Sequence, residues 1–186
     1  MFDHLLSSIA RALDEAGIAY MVIGGQAVLL YGEPRLTRDI NITLGVDAAS
    51  LERLLNLSRR LGLQPAVSDT AAFVSKTNVL PVADSASGIR VDFIFSFTPY
   101  EAAAIARTVS RSLEGHPVRY AAVEDVIVHK LFAGRARDLE DIRGILRRRP
   151  ALDETYLQRW LSEFRATSYR DLWHEFLELK AETDRT

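Results

Sequence analysis

Asp39 and Asn41 stand two residues apart in the run Asp39-Ile40-Asn41-Ile42-Thr43-Leu44, and Asp92 stands alone in Arg90-Val91-Asp92-Phe93. If both runs are strands, Asp39 and Asn41 project from one face while Ile40 and Ile42 face the opposite layer. A carboxylate and an amide oxygen at that spacing suit a hard cation such as Mg2+. Asp92 on a neighbouring strand adds another oxygen ligand or a base. Upstream, Gly24-Gly25 separates an apolar run from a helix-prone one. Glycines there leave the backbone N–H groups of a helix N-terminus open to phosphate. Together these pieces point to a Mg2+–nucleotide site. Each also has a plainer reading. A Gly-Gly pair is most often only a turn, and the phosphate-loop pattern of Gly followed by Lys-Ser or Lys-Thr is absent. Asp92 is less ordinary, because Val91 and Phe93 flank it and a buried charge needs a partner or a metal. Its plain reading is an ion pair with Arg38, Arg90 or Lys130.

The elements that must position these residues follow from periodicity. Phe2, Leu5, Leu6, Ile9 and Leu13 form a helical stripe that ends before Gly17. Residues 19–23 read as a short buried strand, 26–31 as a helix, 39–44 as a half-buried strand and 48–61 as a helix stopped by Gly62. In 64–88, Phe73-Val74 and Asn78-Val79-Leu80 are β-prone, and Asp84 to Gly88 reads as a hairpin turn. Residues 89–95 are the most strand-like run, with Ile89, Val91, Phe93 and Phe95 on one apolar face and Arg90, Asp92 and Ile94 on the other. A short helix over 99–107 and a hairpin of 109–113 with 117–120 complete the sheet region. From Val123 the pattern is helical, over 123–134, 137–148, 153–164 and 169–179. The fold class is therefore α/β, a mixed sheet flanked by helices, with an α/β core over 1–122 and a helical region over 123–186.

The 186 residues suffice for one core without disulfide or metal staples. The 48% hydrophobic and 26% charged content is that of a globular protein. The apolar runs fall far short of the ~20 residues a membrane span needs, and Met1-Phe2-Asp3-His4 does not open a signal peptide. With no cysteine, a disulfide scaffold, a thiolate zinc site and a cysteine nucleophile are excluded, which fits a cytoplasmic setting. The net charge of -2 leaves nucleic acid to a local patch only. One such patch runs from Lys130 to Arg149, with seven basic residues and three acids; it reads first as a solvated helix face and second as a guide for an RNA backbone. His4, His116, His129 and His174 have no ligand spacing, and His129 reads as a helix-surface residue. Phe164, Tyr169, Leu172, Trp173, Phe176 and Leu177 form an apolar stripe expected to pack on the core.

Residues 21–42, from Met-Val-Ile-Gly-Gly to Arg-Asp-Ile-Asn-Ile, resemble the opening motif of the AbiEii-like minimal nucleotidyltransferases of the DNA polymerase β-like superfamily. Thirteen residues separate Gly25 from Asp39, within that motif's range. Asp92 matches the family's third carboxylate. Lys130 and Arg137-Asp138-Leu139-Glu140-Asp141 match its later Lys and Asp-x-x-Asp. The resemblance implies transfer of a nucleoside monophosphate from an NTP to a hydroxyl acceptor, with two Mg2+ ions held by Asp39, position 41 and Asp92. It implies that Lys130 joins those three as a catalytic residue, and that Gly24, Gly25, Arg38, Asp138 and Asp141 serve the nucleotide. It further implies a tRNA end or a protein side chain as acceptor, and an antitoxin protein as partner. The chain departs from the pattern at one place, since position 41 is Asn where the family has Asp. The amide oxygen can ligate Mg2+ but brings no charge. A tolerant enzyme, an inactivating substitution and a non-catalytic nucleotide- or partner-binding protein of the same fold all remain open.

Overall fold

A computed structural model of the chain describes residues 1–34, 36–37 and 39–185. Helix α1 (Phe2–Glu15) buries Leu5, Leu6, Ile9 and Leu13 and packs along the hairpin of β6 (Val109–Leu113) and β7 (His116–Tyr120). Each of those side chains contributes about 2 kcal/mol by leaving water. Strand β1 (Tyr20–Ile23) is buried at every position, and α2 (Gly24–Tyr31) follows with no intervening loop. The two glycines that read as a break are thus the first turn of the helix. Strand β2 (Asp39–Leu44) is followed by a 3-10 turn at 48–50 and α3 (Leu51–Arg60). Next come β3 (Leu63–Pro65), α4 (Thr70–Thr77), β4 (Val79–Asp84), β5 (Arg90–Phe95) and α5 (Pro99–Ala106).

The seven strands form one mixed sheet in the order β3-β4-β5-β2-β1-β7-β6. The β2–β5 and β1–β7 pairs are parallel and the other four antiparallel. One face of its centre is wholly apolar: Ile40, Ile42 and Leu44 of β2, Val91, Phe93 and Phe95 of β5, and Leu80 and Val82 of β4 are buried. The strand expected around Phe73-Val74 is instead helix α4. Asp69 caps its N-terminus by accepting from Ala72 N at 2.9 Å, and Asn78 closes it in the left-handed conformation with φ 55°. These caps outweigh the β preference of two residues.

The C-terminal helices are α6 (Val123–Ala133), α7 (Ala136–Arg147), α8 (Glu154–Glu163), the short α9 (Arg165–Ser168) and α10 (Leu172–Asp184). By its internal packing the chain divides into two units, Met1–Gly25 with Thr37–Ala121, and Gln26–Leu36 with Ala122–Thr186. In the second, Ile127, Leu131, Ile142, Ile145, Leu157, Trp160, Leu172 and Phe176 make the core. The C-terminal apolar stripe splits: Leu172 and Phe176 are fully buried, while Tyr169 is 93% exposed. Among the described residues no helix is long and apolar enough to cross a membrane.

Candidate active site

Strand alternation puts Asp39 and Asn41 on the face of β2 opposite to Ile40 and Ile42. The parallel register with β5 then aligns Asn41 with Asp92 and Asp39 with Arg90. Side chains at aligned positions of neighbouring strands share a face, about 4.8 Å apart along the hydrogen-bonding direction. Two rows therefore cross the sheet: Pro81, Asp92, Asn41 and Ile23 in one, Ala83, Arg90 and Asp39 in the next. Asp39, Asn41 and Asp92 are half-buried, while their strand neighbours Ile40, Val91 and Phe93 are inaccessible.

Each carboxylate carries a protein donor. Thr37 Oγ1 donates to Asp39 Oδ1 at 3.0 Å and Asn41 Nδ2 donates to Asp39 Oδ2 at 3.1 Å. Arg90 Nε donates to Asp92 Oδ1 at 3.0 Å. Of the candidates the sequence left open, Arg90 pairs with Asp92, and Arg38 lies outside the described residues. Thr37 had no sequence signal beyond lying two residues before an Asp.

Gly24 closes the site from β1, where Ile23 lies opposite Asn41. Its φ of 67° is left-handed, and a Cβ there would lie 3.1 Å from Asn41 Nδ2. Both the turn and the close approach require glycine. Gly25 follows, buried, in the first turn of α2, where backbone N–H groups lack intrahelical acceptors.

The donor set fits a hard divalent cation: two carboxylates and one amide, all oxygen donors on one sheet face. Among the described residues no three His, Cys, Asp or Glu side chains gather to hold a metal. At this face the third position belongs to an amide, whose nitrogen donates to Asp39. With Arg90 the two rows sum to a single negative charge.

Lys130, Asp138 and Asp141 gather in the helical unit. Lys130 Nζ lies 2.6 Å from Asp138 Oδ1 and 2.7 Å from Asp141 Oδ2, and all three side chains are more than nine-tenths buried. Arg135 Nε, on an exposed side chain, also reaches Asp138, at 2.6 Å. Burial pushes the Asp138 carboxyl up, but the hydrogen bonds and charges of Arg135 and Lys130 outweigh it and hold the group below its ordinary value. This cluster ties α6 to α7. His129, expected on a helix surface, is half-buried with its ring Nε2 out of water; burial first and the Lys130 charge second lower its pKa to about 4. Of the basic run, Arg147 meets Glu33 at 3.5 Å and Arg143 meets Glu140 and Glu182, while Arg148 and Arg149 are exposed. Arg38, expected at the nucleotide, lies outside the described residues.

Among solved structures, the chain is similar to an antigenic nucleotidyltransferase-like protein from Paracoccidioides brasiliensis. The identity is 20% and the TM-score 0.59, over 96% of this chain and 92% of that one. It is also similar to the antibiotic-resistance factor ANT(2'')-Ia, at 16% identity and a TM-score of 0.54, over 98% and 95% of the two chains. The same factor in complex with adenylyl-2''-tobramycin gives 17% and 0.52, over 98% and 97%. At these identities the likeness is one of fold. Among curated proteins there is no match. The profile of the AbiEii nucleotidyl transferase toxins, type IV toxin–antitoxin system, matches residues 6–184, nearly the whole sequence, and the chain belongs to that family.

Proposed function

We propose that the chain transfers a nucleoside monophosphate from an NTP to a hydroxyl acceptor, as the toxin of a toxin–antitoxin pair in the cytoplasm. The observation that carries this reading is the register of β2 against β5, which aligns Asn41 with Asp92 and sets both beside Asp39. The Gly24 turn adjoins them, and the first N–H groups of α2 are suited to the β- and γ-phosphates. Bound Mg2+ supplies neutralisation of the triphosphate and of charge developing in transfer. Asp39, Asn41 Oδ1 and Asp92 are the residues that would hold it. Asp92 accepts the proton of the acceptor hydroxyl, whose oxygen attacks the α-phosphate in line, and pyrophosphate leaves. Lys130, Asp138 and Asp141, which the family resemblance also assigns to the nucleotide, pair with one another within the helical unit, where the ammonium is shared by two carboxylates.

The acceptor we favour is a tRNA end or a protein side chain, since the family is one of toxins; an antitoxin protein is then the natural partner. Asn41 leaves the site one negative charge short and slows transfer. The test is incubation with each labelled NTP, Mg2+ and cellular RNA or protein, with an aminoglycoside as a third arm. Label should appear in one acceptor class, faster with Asn41→Asp, and vanish when Asp39→Ala or Asp92→Ala is added. No labelled acceptor from either chain sinks the reading. A second reading, nucleotide binding without transfer, is favoured by one observation: the third position of the site is an amide, whose Nδ2 donates to Asp39 where a carboxylate would add charge.

A further inference from the structure

Arg90 stands where neither the glycine turn nor the ligand trio assigns it a role. Its Nε donates to Asp92 Oδ1 at 3.0 Å, and its register partner on β2 is Asp39. On its other side, β4 presents Ala83 and Pro81, which offer no side-chain donor. The side chain is 59% exposed, and the bond it makes to Asp92 among the described residues uses Nε, which leaves the two terminal nitrogens as further donors. A guanidinium is a permanent cation whose fork matches phosphate as well as carboxylate.

We infer that Arg90 is a built-in competitor for the divalent cation: its guanidinium holds Asp92 in the metal-free protein and passes to a nucleotide phosphate when the cation takes the carboxylate. This rests on the nucleotidyltransferase reading above. The consequence is coupling. Without nucleotide, a cation entering the site must displace a positive charge from Asp92 and then remain beside it. With nucleotide, the displaced guanidinium finds an anionic partner, so cation and nucleotide each tighten the other. In this scheme Arg90 holds Asp92 without nucleotide and binds a nucleotide phosphate with it.

The experiment is titration of the full chain with Mn2+ alone, followed by electron paramagnetic resonance, with and without a non-hydrolysable NTP analogue. Arg90→Ala and Arg90→Lys are compared with the parent, and thermal melts confirm that each folds, as exposed sites usually allow. Removing one charge about 5 Å from a divalent ion in a solvated site should tighten Mn2+ binding about tenfold in the absence of nucleotide. Arg90→Lys, which keeps the charge, should stay near the parent. The gain in Mn2+ affinity on adding the analogue should be largest in the parent and smallest in Arg90→Ala. A merely structural arginine predicts the opposite sign, weaker Mn2+ binding on its removal. If all chains bind the analogue but Arg90→Ala binds Mn2+ no tighter than the parent, the competition is refuted and the nucleotidyltransferase reading stands. If no chain binds the analogue, that reading falls and the competition with it.

Discussion

Asn41 does two things at once. Its amide N–H satisfies Asp39, and its side chain fills the space that a Cβ on Gly24 would enter. Replacing it by Asp keeps the shape and turns a donor into a second negative charge beside Asp39. Without divalent ions, Asn41→Asp should therefore lower stability by about 1–2 kcal/mol, and Mg2+ should restore it. Melting with and without Mg2+ checks this; a melting temperature indifferent to Mg2+ contradicts it. Gly24→Ala meets a left-handed φ and a 3.1 Å contact, so it should cost about 1–2 kcal/mol and weaken NTP binding by displacing Asn41. Unfolding and nucleotide titrations on one preparation separate the two effects. The sequence already showed that Asp39 and Asn41 share a face, because that follows from the two-residue period of a strand. It could not show that Asp92 falls opposite Asn41. That depends on which strands pair and in what register, a property of contacts fifty residues apart.

At the scale of elements, local signals were dependable where capping and periodicity agreed and failed where they diverged. The α4 segment carries β-prone Phe73-Val74, yet Asp69 and Asn78 at its two ends make it a helix; both caps were present in the sequence and were outweighed there by composition. Accordingly Asp69→Ala should destabilise the protein by about 1 kcal/mol through loss of the cap, read by urea unfolding. The helix pair α6–α7 is tied by a different device. Lys130 sits between Asp138 and Asp141, out of water. Lys130→Met leaves two buried carboxylates facing each other and should cost about 3–5 kcal/mol. The accompanying Asp138→Asn and Asp141→Asn changes should recover part of that. If Lys130→Met abolishes transfer while the melt is unchanged, the residue acts in the reaction and not as a tie. The spacing of these three residues was legible in the sequence, but their mutual pairing was not, because burial decides it.

For the molecule as a whole, acid should act first through His129. Its folded pKa, near 4, lies below the ordinary 6.5, so between those values the unfolded chain binds the extra proton. Stability therefore falls as pH drops from 6.5 toward 4, by about 2 kcal/mol between pH 7 and pH 5. Asp138, whose carboxyl is held below its ordinary 3.8, adds a further loss at lower pH. Unfolding measured at pH 7 and pH 5 should show the first fall in the parent and a flatter response in His129→Gln. The sheet order carries one more consequence, for the sequence of assembly. Strand β1 meets β2 within 25 residues, whereas β2 must wait for β5, with Asp92 following Asn41 by fifty-one positions. Closing that distant parallel pair is slow relative to the nearer β1–β2 pair. A copy still being synthesised, or clipped before Arg90, carries the glycine turn and two of the three proposed ligands but lacks the strand that supplies Asp92. On the proposed mechanism the last part of the site is delivered by chain length, so only a polypeptide that has reached β5, the fifth of seven strands, would be active.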